Sequence, residues 1–394
     1  MGGRHLFGEV QLKLWIETAH QCLVVAGGAV CGDKIRTFQT EDQFFAILSS
    51  GPPDGAGEPT VVTQIADSAA SLLRQGIGVE EVVESLLAAL PAGMHVPFSV
   101  FQVLEGRRAH VVECDAPPLF LARGGRLVLL PVLEDVAHGR LVRQCQFLLQ
   151  DGDHLAMVSE GYIHARGWSR RWGWRDIAVS VRRWTETGCD AEQLLGALIR
   201  MYRRLAEGGT EGHVADVSVV AMHVRPKRTI TVWTGPPVDP GQDQQVLERL
   251  MDEQDKRVIC GDTTAQIAAR LLGTELEMES RPGDGWREVP PVSRMAGVDL
   301  VTEGVVTLGK ARERMVGVDR VRDLPRGEDG ATCLARMLLA ADVIHFIVGL
   351  ALNPGVSRVM GSDVSNVGPP RLPLVEELIH DLKTKGKLVS TEYV

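Results

Sequence analysis

At 394 residues the chain has room for two domains. Its hydrophobic content of 44% and charged content of 24% are those of a folded protein and argue against long disorder. A net charge of -9 argues against nucleic acid as a bulk electrostatic partner, because phosphate neutralisation needs basic surface.

No basic-then-apolar segment opens the sequence, so no signal peptide is expected. The longest apolar run, 343–352, contains His345 and Gly349 and is too short to span a bilayer, so no membrane partner is expected. The seven cysteines are scattered and none forms a CxxC pair. A reduced, cytoplasmic chain is the simplest expectation.

In chain order, residues 10–16 alternate apolar and polar side chains, as a half-buried strand does. Residues 23–30 and 44–48 are further strands. Residues 60–75 place Val61, Ile65, Ala69 and Leu72 on one helical face, and 80–90 do the same with Val83, Leu87 and Leu90. Short strands are expected at 98–104, 110–114, 119–122, 126–130, 144–149 and 154–159, bounded by turn residues. A helix over 191–207 and a strand over 217–224 follow. Helix pairs among many short strands suggest a β-sandwich with helices outside.

The rhythm changes at Arg225-Pro226-Lys227. Strands at 229–233, 257–260, 343–348 and 387–393 now alternate with helices at 242–253, 264–272, 331–341 and 372–385. That alternation favours a parallel α/β sheet. The spacing predicts a surface loop over 281–291. The boundaries expected are 1–227 and 228–394.

Six stretches of the first part stand out in order: Cys31-Gly32-Asp33, Ser49-Ser50-Gly51, Asp115-Ala116-Pro117-Pro118-Leu119, Gln150-Asp151-Gly152-Asp153, Ser159-Glu160-Gly161 and Ala215-Asp216-Val217-Ser218. Together they resemble the motifs of the metal-dependent serine/threonine protein phosphatases of type 2C, the PPM family. The bacterial sporulation-stage-II-E (SpoIIE) branch is the nearer likeness. The resemblance covers a little over half the chain. It implies an α-β-β-α sandwich, followed here by a smaller α/β domain with a mostly parallel sheet. The pairing of the two halves also resembles proteins encoded with iron-iron hydrogenases.

By the same resemblance, the chemistry is phosphomonoester hydrolysis at two Mn²⁺ or Mg²⁺ ions held by carboxylates. Such ions are hard and prefer oxygen, and they activate a bridging water. Asp33 and Glu160 fall on catalytic positions, and Asp33, Gly51, Glu160 and Asp216 on metal positions. Ser50 and Ala215 stand where the family has Asp, and Glu160 reaches one methylene further than the family's Asp. Each lost carboxylate removes charge that must compensate about four positive charges, so one ion or none is expected in place of two. Asp54 and Glu58 lie in the adjacent turn as substitute acids, though no spacing requires them.

Two readings follow. The first is a signalling phosphatase of weak or absent activity, whose substrate is a phosphoserine or phosphothreonine protein. The second is a non-catalytic pseudophosphatase that binds such a partner, its C-terminal domain holding a small anionic ligand or a partner protein. The oligomeric state is not legible.

Two further stretches carry open alternatives. Residues 165–184 concentrate Trp and Arg, either to grip a phosphorylated or acidic partner or as a satellite core under a solvated Arg face. In 258–272 a strand and a glycine turn precede a helix, so Gly261, Thr263 and Thr264 form an anion-site candidate. A plain N-cap at Asp262 or Thr263 explains the same residues. The histidines are scattered singly and read as structural.

Overall fold

The computed structural model describes residues 13–24, 30–51, 59–91, 93–163, 173–207, 216–252, 256–278, 289–290, 292–351 and 371–394. The chain divides into two compact units, Met1–Pro226 and Lys227–Val394.

The first unit is built on two antiparallel sheets. One has the order β1 (Leu14–Leu23), β11 (Val217–Pro226), β10 (His154–Val158), β6 (Phe120–Arg123), β7 (Arg126–Leu127). The other runs β2 (Lys34–Gln39), β3 (Gln43–Ser49), β4 (Phe98–Leu104), β5 (Arg108–Cys114), β9 (Arg140–Leu148), β8 (Leu133–Ala137). Side chains alternate between the two faces of a strand, and the sequence uses both faces. Ala46 and Leu48 of β3, Phe101 of β4, Leu155 and Met157 of β10, and Val220 and Met222 of β11 form one buried layer between the sheets. Phe45, Ile47, Phe98 and Val100 point the other way, under α1 (Pro59–Arg74) and α2 (Val79–Ala89). On the second sheet Phe120, Ala156, Val158 and Val219 pack under α3 (Glu160–Ile163), α4 (Trp174–Thr185) and α5 (Ala191–Glu207). The result is an α-β-β-α sandwich. Each large apolar side chain sealed in these layers contributes about 1.5–3 kcal/mol.

The expected helices at 60–75, 80–90 and 191–207 correspond to α1, α2 and α5. In α1 the buried Val62, Ile65, Ala66, Ala69 and Leu73 make the apolar stripe. The first strand differs from expectation. In place of separate strands at 10–16 and 23–30, β1 runs unbroken from Leu14 to Leu23 along β11; residues 10–12 and 25–29 lie outside those described. Strands β2 and β8 were not anticipated. All three are sheet edges, open along one side, where the apolar alternation fades.

In the second unit β12 (Thr229–Thr234), β13 (Lys256–Cys260), β16 (Val298–Thr302), β17 (Val343–Val348) and β18 (Leu388–Tyr393) are parallel neighbours. Numbered along the chain, their spatial order is 3-2-1-4-5. Two antiparallel edge strands, β15 (Ser293–Met295) and β14 (Glu277–Met278), extend the sheet beyond β16. Helices α6 (Asp243–Asp252) and α7 (Asp262–Leu272) pack on the face carrying Trp233, Ile259 and Val301. Helices α8 (Val305–Met315), α9 (Gly330–Ala340) and α10 (Arg371–Thr384) pack on the face carrying Val232, Val258, Leu300 and Phe346. Burial on both faces explains the continuous apolar run of β17. Strand β16 and helix α8 were not anticipated, and the expected loop at 281–291 falls almost wholly outside the described residues. Among those described, no helix is long and apolar enough to cross a membrane.

One buried ion pair holds the turn into β10. Arg123 donates through Nε and Nη2 to the two carboxylate oxygens of Asp153, at 2.7 and 2.8 Å. Asp153 is fully buried and also accepts from the Gln150 amide at 2.8 Å. Arg123→Met strands this carboxylate without its partner, so unfolding free energy should fall by about 3 kcal/mol in urea titrations. A loss below about 1 kcal/mol would show that the pair is not what holds the turn.

Candidate functional site

Four chain segments, two from each sheet of the first unit, meet at Asp33. Asp33 directly precedes β2, and Ser49 closes β3 opposite Lys34. The Ser50 amide donates to the Pro97 carbonyl at 2.8 Å, which pins the turn after β3 to the start of β4. The Gly51 amide then donates to Asp33 Oδ1 at 3.1 Å. From the other sheet come Ser159, just past β10, and Asp216 with Ser218 at the start of β11. The Ser159 amide donates to the Ser218 carbonyl and the Ser218 amide to Ser159 Oγ, both at 2.9 Å. Asp216 accepts from the Gly32 amide. The Ser218 hydroxyl donates to Cys22 Sγ at 3.1 Å.

Asp33 is 3% exposed. Burial pushes its carboxyl up to about 6, and the nearby Asp216 charge pushes the same way. The Ser218 and Ser159 hydroxyls and the Gly51 amide lean against this shift. Oδ2 nevertheless accepts no hydrogen bond of ordinary geometry.

Glu160 opens α3, and its carboxylate lies 3.8 Å from Nε2 of His95. His95 Nδ1 lies 3.6 Å from Asp115 Oδ2. His95 therefore bridges two acids of the quoted motifs. No sequence spacing joins this histidine to either acid, so the structure departs here from the expectation of a lone structural histidine. The turn bearing Asp115 is held from below. Glu113, 4% exposed, accepts from the Leu119 amide at 2.5 Å and faces Arg143 Nε at 3.2 Å. Burial pushes Glu113 up to about 7 even against that guanidinium.

The structure thus brings Asp33, Gly51 and Asp216 together, with Ser50 buried beside them. Among the described residues, no three Asp, Glu, His or Cys side chains are grouped so that they could hold a metal ion. Ala215, Asp54 and Glu58 lie outside the described residues. Among the described residues the carboxylates that meet here are Asp33 and Asp216, and two carboxylates do not balance the charge of two divalent ions.

Of the Trp- and Arg-rich stretch, α4 is described. Trp174 stacks on Phe120 at 5.2 Å, and Ile177, Ala178 and Val181 are buried beneath. Arg200 lies over the half-exposed Trp184 at 5.7 Å. The inner face of α4 is therefore core, while Arg175, Arg182 and Arg183 are exposed.

No family model and no curated protein matches the sequence. The structure is similar to solved phosphatase domains of the type 2C class. One is the phosphatase domain of the cell-fate determinant SpoIIE from Bacillus subtilis, at 16% identity over 55% of this chain and 94% of that one, TM-score 0.41. A second comprises the RsbU and RsbW domains of a Mycobacterium tuberculosis protein, at 17% identity over 61% and 68%, TM-score 0.45. A third is the catalytic domain of the serine/threonine phosphatase PstP in complex with two manganese ions, at 16% identity over 54% and 99%, TM-score 0.38.

The raised Asp33 carboxyl has a consequence for stability. The folded state holds this proton up to about pH 6, whereas an unfolded Asp releases it near 3.9. Between those values the native state binds more protons, so this group's contribution to stability falls as pH rises. Asp33→Asn removes the term and keeps an acceptor for the Gly51 amide. The variant should exceed the wild type by about 2 kcal/mol at pH 7.5, with the gain shrinking toward pH 4. Urea unfolding at both pH values checks this. A destabilised variant at pH 7.5 would mean that Asp33 is compensated as an anion.

Proposed function

We propose that residues 1–227 form a SpoIIE-type serine/threonine phosphatase-like module in bacterial signalling. It recognises a phosphoserine- or phosphothreonine-bearing protein and hydrolyses it weakly or not at all. The observation that carries this reading is the donor set around Asp33: a glycine amide, two serine hydroxyls and one further carboxylate. Amides and hydroxyls donate to phosphate oxygens, whereas metal-dependent hydrolysis needs several carboxylates to balance its cations. Supporting it are the order of the six motifs and the α-β-β-α layering in which Asp33, Gly51, Ser159 and Asp216 meet. Residues 228–394 form a separate α/β domain.

With p-nitrophenyl phosphate and Mn²⁺, turnover should stay near background, and any residue of it should vanish in Asp33→Ala. Robust metal-dependent hydrolysis by the wild type would overturn the reading. A repair variant tests the assignment of positions independently of activity. Ser50→Asp, Glu160→Asp and Ala215→Asp together should crowd carboxylates around Asp33, lowering stability without metal. The same variant should gain more in melting temperature from Mn²⁺ than the wild type, because an ion bound only by the native state shifts unfolding. An equal metal response in both proteins would show that these positions do not converge.

A further inference from the structure

The parallel strands of the second unit end around a cavity of about 120 Å³. Loops after β12, β13 and β16 line it, together with Arg371 at the start of α10. In an open doubly wound sheet of order 3-2-1-4-5, ligands bind outside the carboxyl ends of the strands. The side chains here make that general rule specific.

Helix α7 opens on the cavity with Gly261 as its N-cap, at φ +130°, and no side chain caps it. Neither Asp262 nor Thr263 serves as the cap expected from sequence. The first amides of α7 therefore have no side-chain acceptor at the positive end of the helix dipole. The contrast with α8 is informative. There Glu303 Oε2 accepts from the Val306 and Thr307 amides at 3.1 and 3.3 Å, so that helix end already has its anion.

Three side chains converge on the uncapped end. Thr264 and Thr234 line the cavity, each 1% exposed, and neither hydroxyl has a hydrogen-bond partner among the described residues. A buried hydroxyl left unpaired is costly, so both are poised for a ligand. Arg371 supplies a half-buried cation. Its Nε donates to the Gly349 carbonyl at 3.1 Å, and its guanidinium lies on Gly235. Gly235 has φ +81°, and a Cβ there would come within 2.3 Å of Nε. No carboxylate among the described residues pairs with Arg371.

We propose that this cavity binds the phosphate of a sugar phosphate, either free or as part of a nucleotide. The α7 amides, the Thr264 and Thr234 hydroxyls and Arg371 hold the phosphate oxygens. Asp262 and Glu303 line the same cavity and are acceptors suited to sugar hydroxyls, which disfavours a polyphosphate. The cavity is well below the roughly 300–1,000 Å³ of sites that enclose a whole drug-sized ligand, so it takes the phosphate end and leaves the remainder outside. The proposal is independent of the function assigned to the first unit.

The test is isothermal titration of the full chain with ribose 5-phosphate, AMP and inorganic phosphate. Saturable binding of ribose 5-phosphate or AMP, tighter than inorganic phosphate, is the expected result. AMP alone points to a nucleotide, and both together to a sugar phosphate. Thr264→Val should weaken that binding about tenfold while leaving thermal stability at or above wild type, because the lost hydroxyl has no partner in the free protein. Arg371→Gln should weaken it at least about tenfold, with a smaller salt dependence. The absence of saturable heat up to about 10 mM, binding of inorganic phosphate alone, or an affinity unchanged in Thr264→Val would each overturn the proposal.

Discussion

Two antiparallel sheets share one dry layer, and the candidate site lies where polar groups from both meet. Ala46 and Leu48 from one sheet and Met157 and Val220 from the other are sealed in that layer. The next residues along these strands are polar: Ser49 at the end of β3 and Ser50 after it, Ser159 after β10, and Asp216 and Ser218 where β11 begins. Because the apolar residues of each strand fix its register, these polar groups have little freedom in where they emerge. Asp33 is caught among them, buried by the same packing that positions its neighbours.

That burial decides the chemistry. A carboxylate removed from water resists ionisation unless cations or donors compensate it. Here the compensation is one amide with hydroxyls close by, and a second carboxylate adds repulsion. The Glu113–Arg143 and Arg123–Asp153 pairs solve the same problem differently, each with a guanidinium; the first braces the turn bearing Asp115, and the second holds the opposite end of β10. The scaffold around Asp33 is thus well paired while Asp33 itself is not. Such an imbalance is more often found at functional positions than in plain core.

The second unit shows a related contrast between two helix ends. Glu303 satisfies α8, whereas α7 begins on a glycine and faces two unpaired threonines and an arginine. Both helices follow parallel strands of one sheet, so the difference comes from side chains and not from topology.

The amino-acid pattern alone determined the helices α1, α2 and α5, the buried strands β4, β12 and β17, and the order of the motifs around Asp33. Periodicity reports which face of an element is buried, and that is a local property. Edge strands β1, β2 and β8 were misplaced or missed because exposure on one side blurs the alternation. Strand β16 and helix α8 were missed outright. Only the tertiary structure decided which side chains meet. It joined Gly32 to Asp216 across 184 residues, set His95 between Asp115 and Glu160, and laid Arg371 on Gly235. Such meetings depend on strand pairing and helix packing, and no spacing along the chain encodes them. The charge state of Asp33 followed for the same reason, since a carboxyl titrates according to what surrounds it in space.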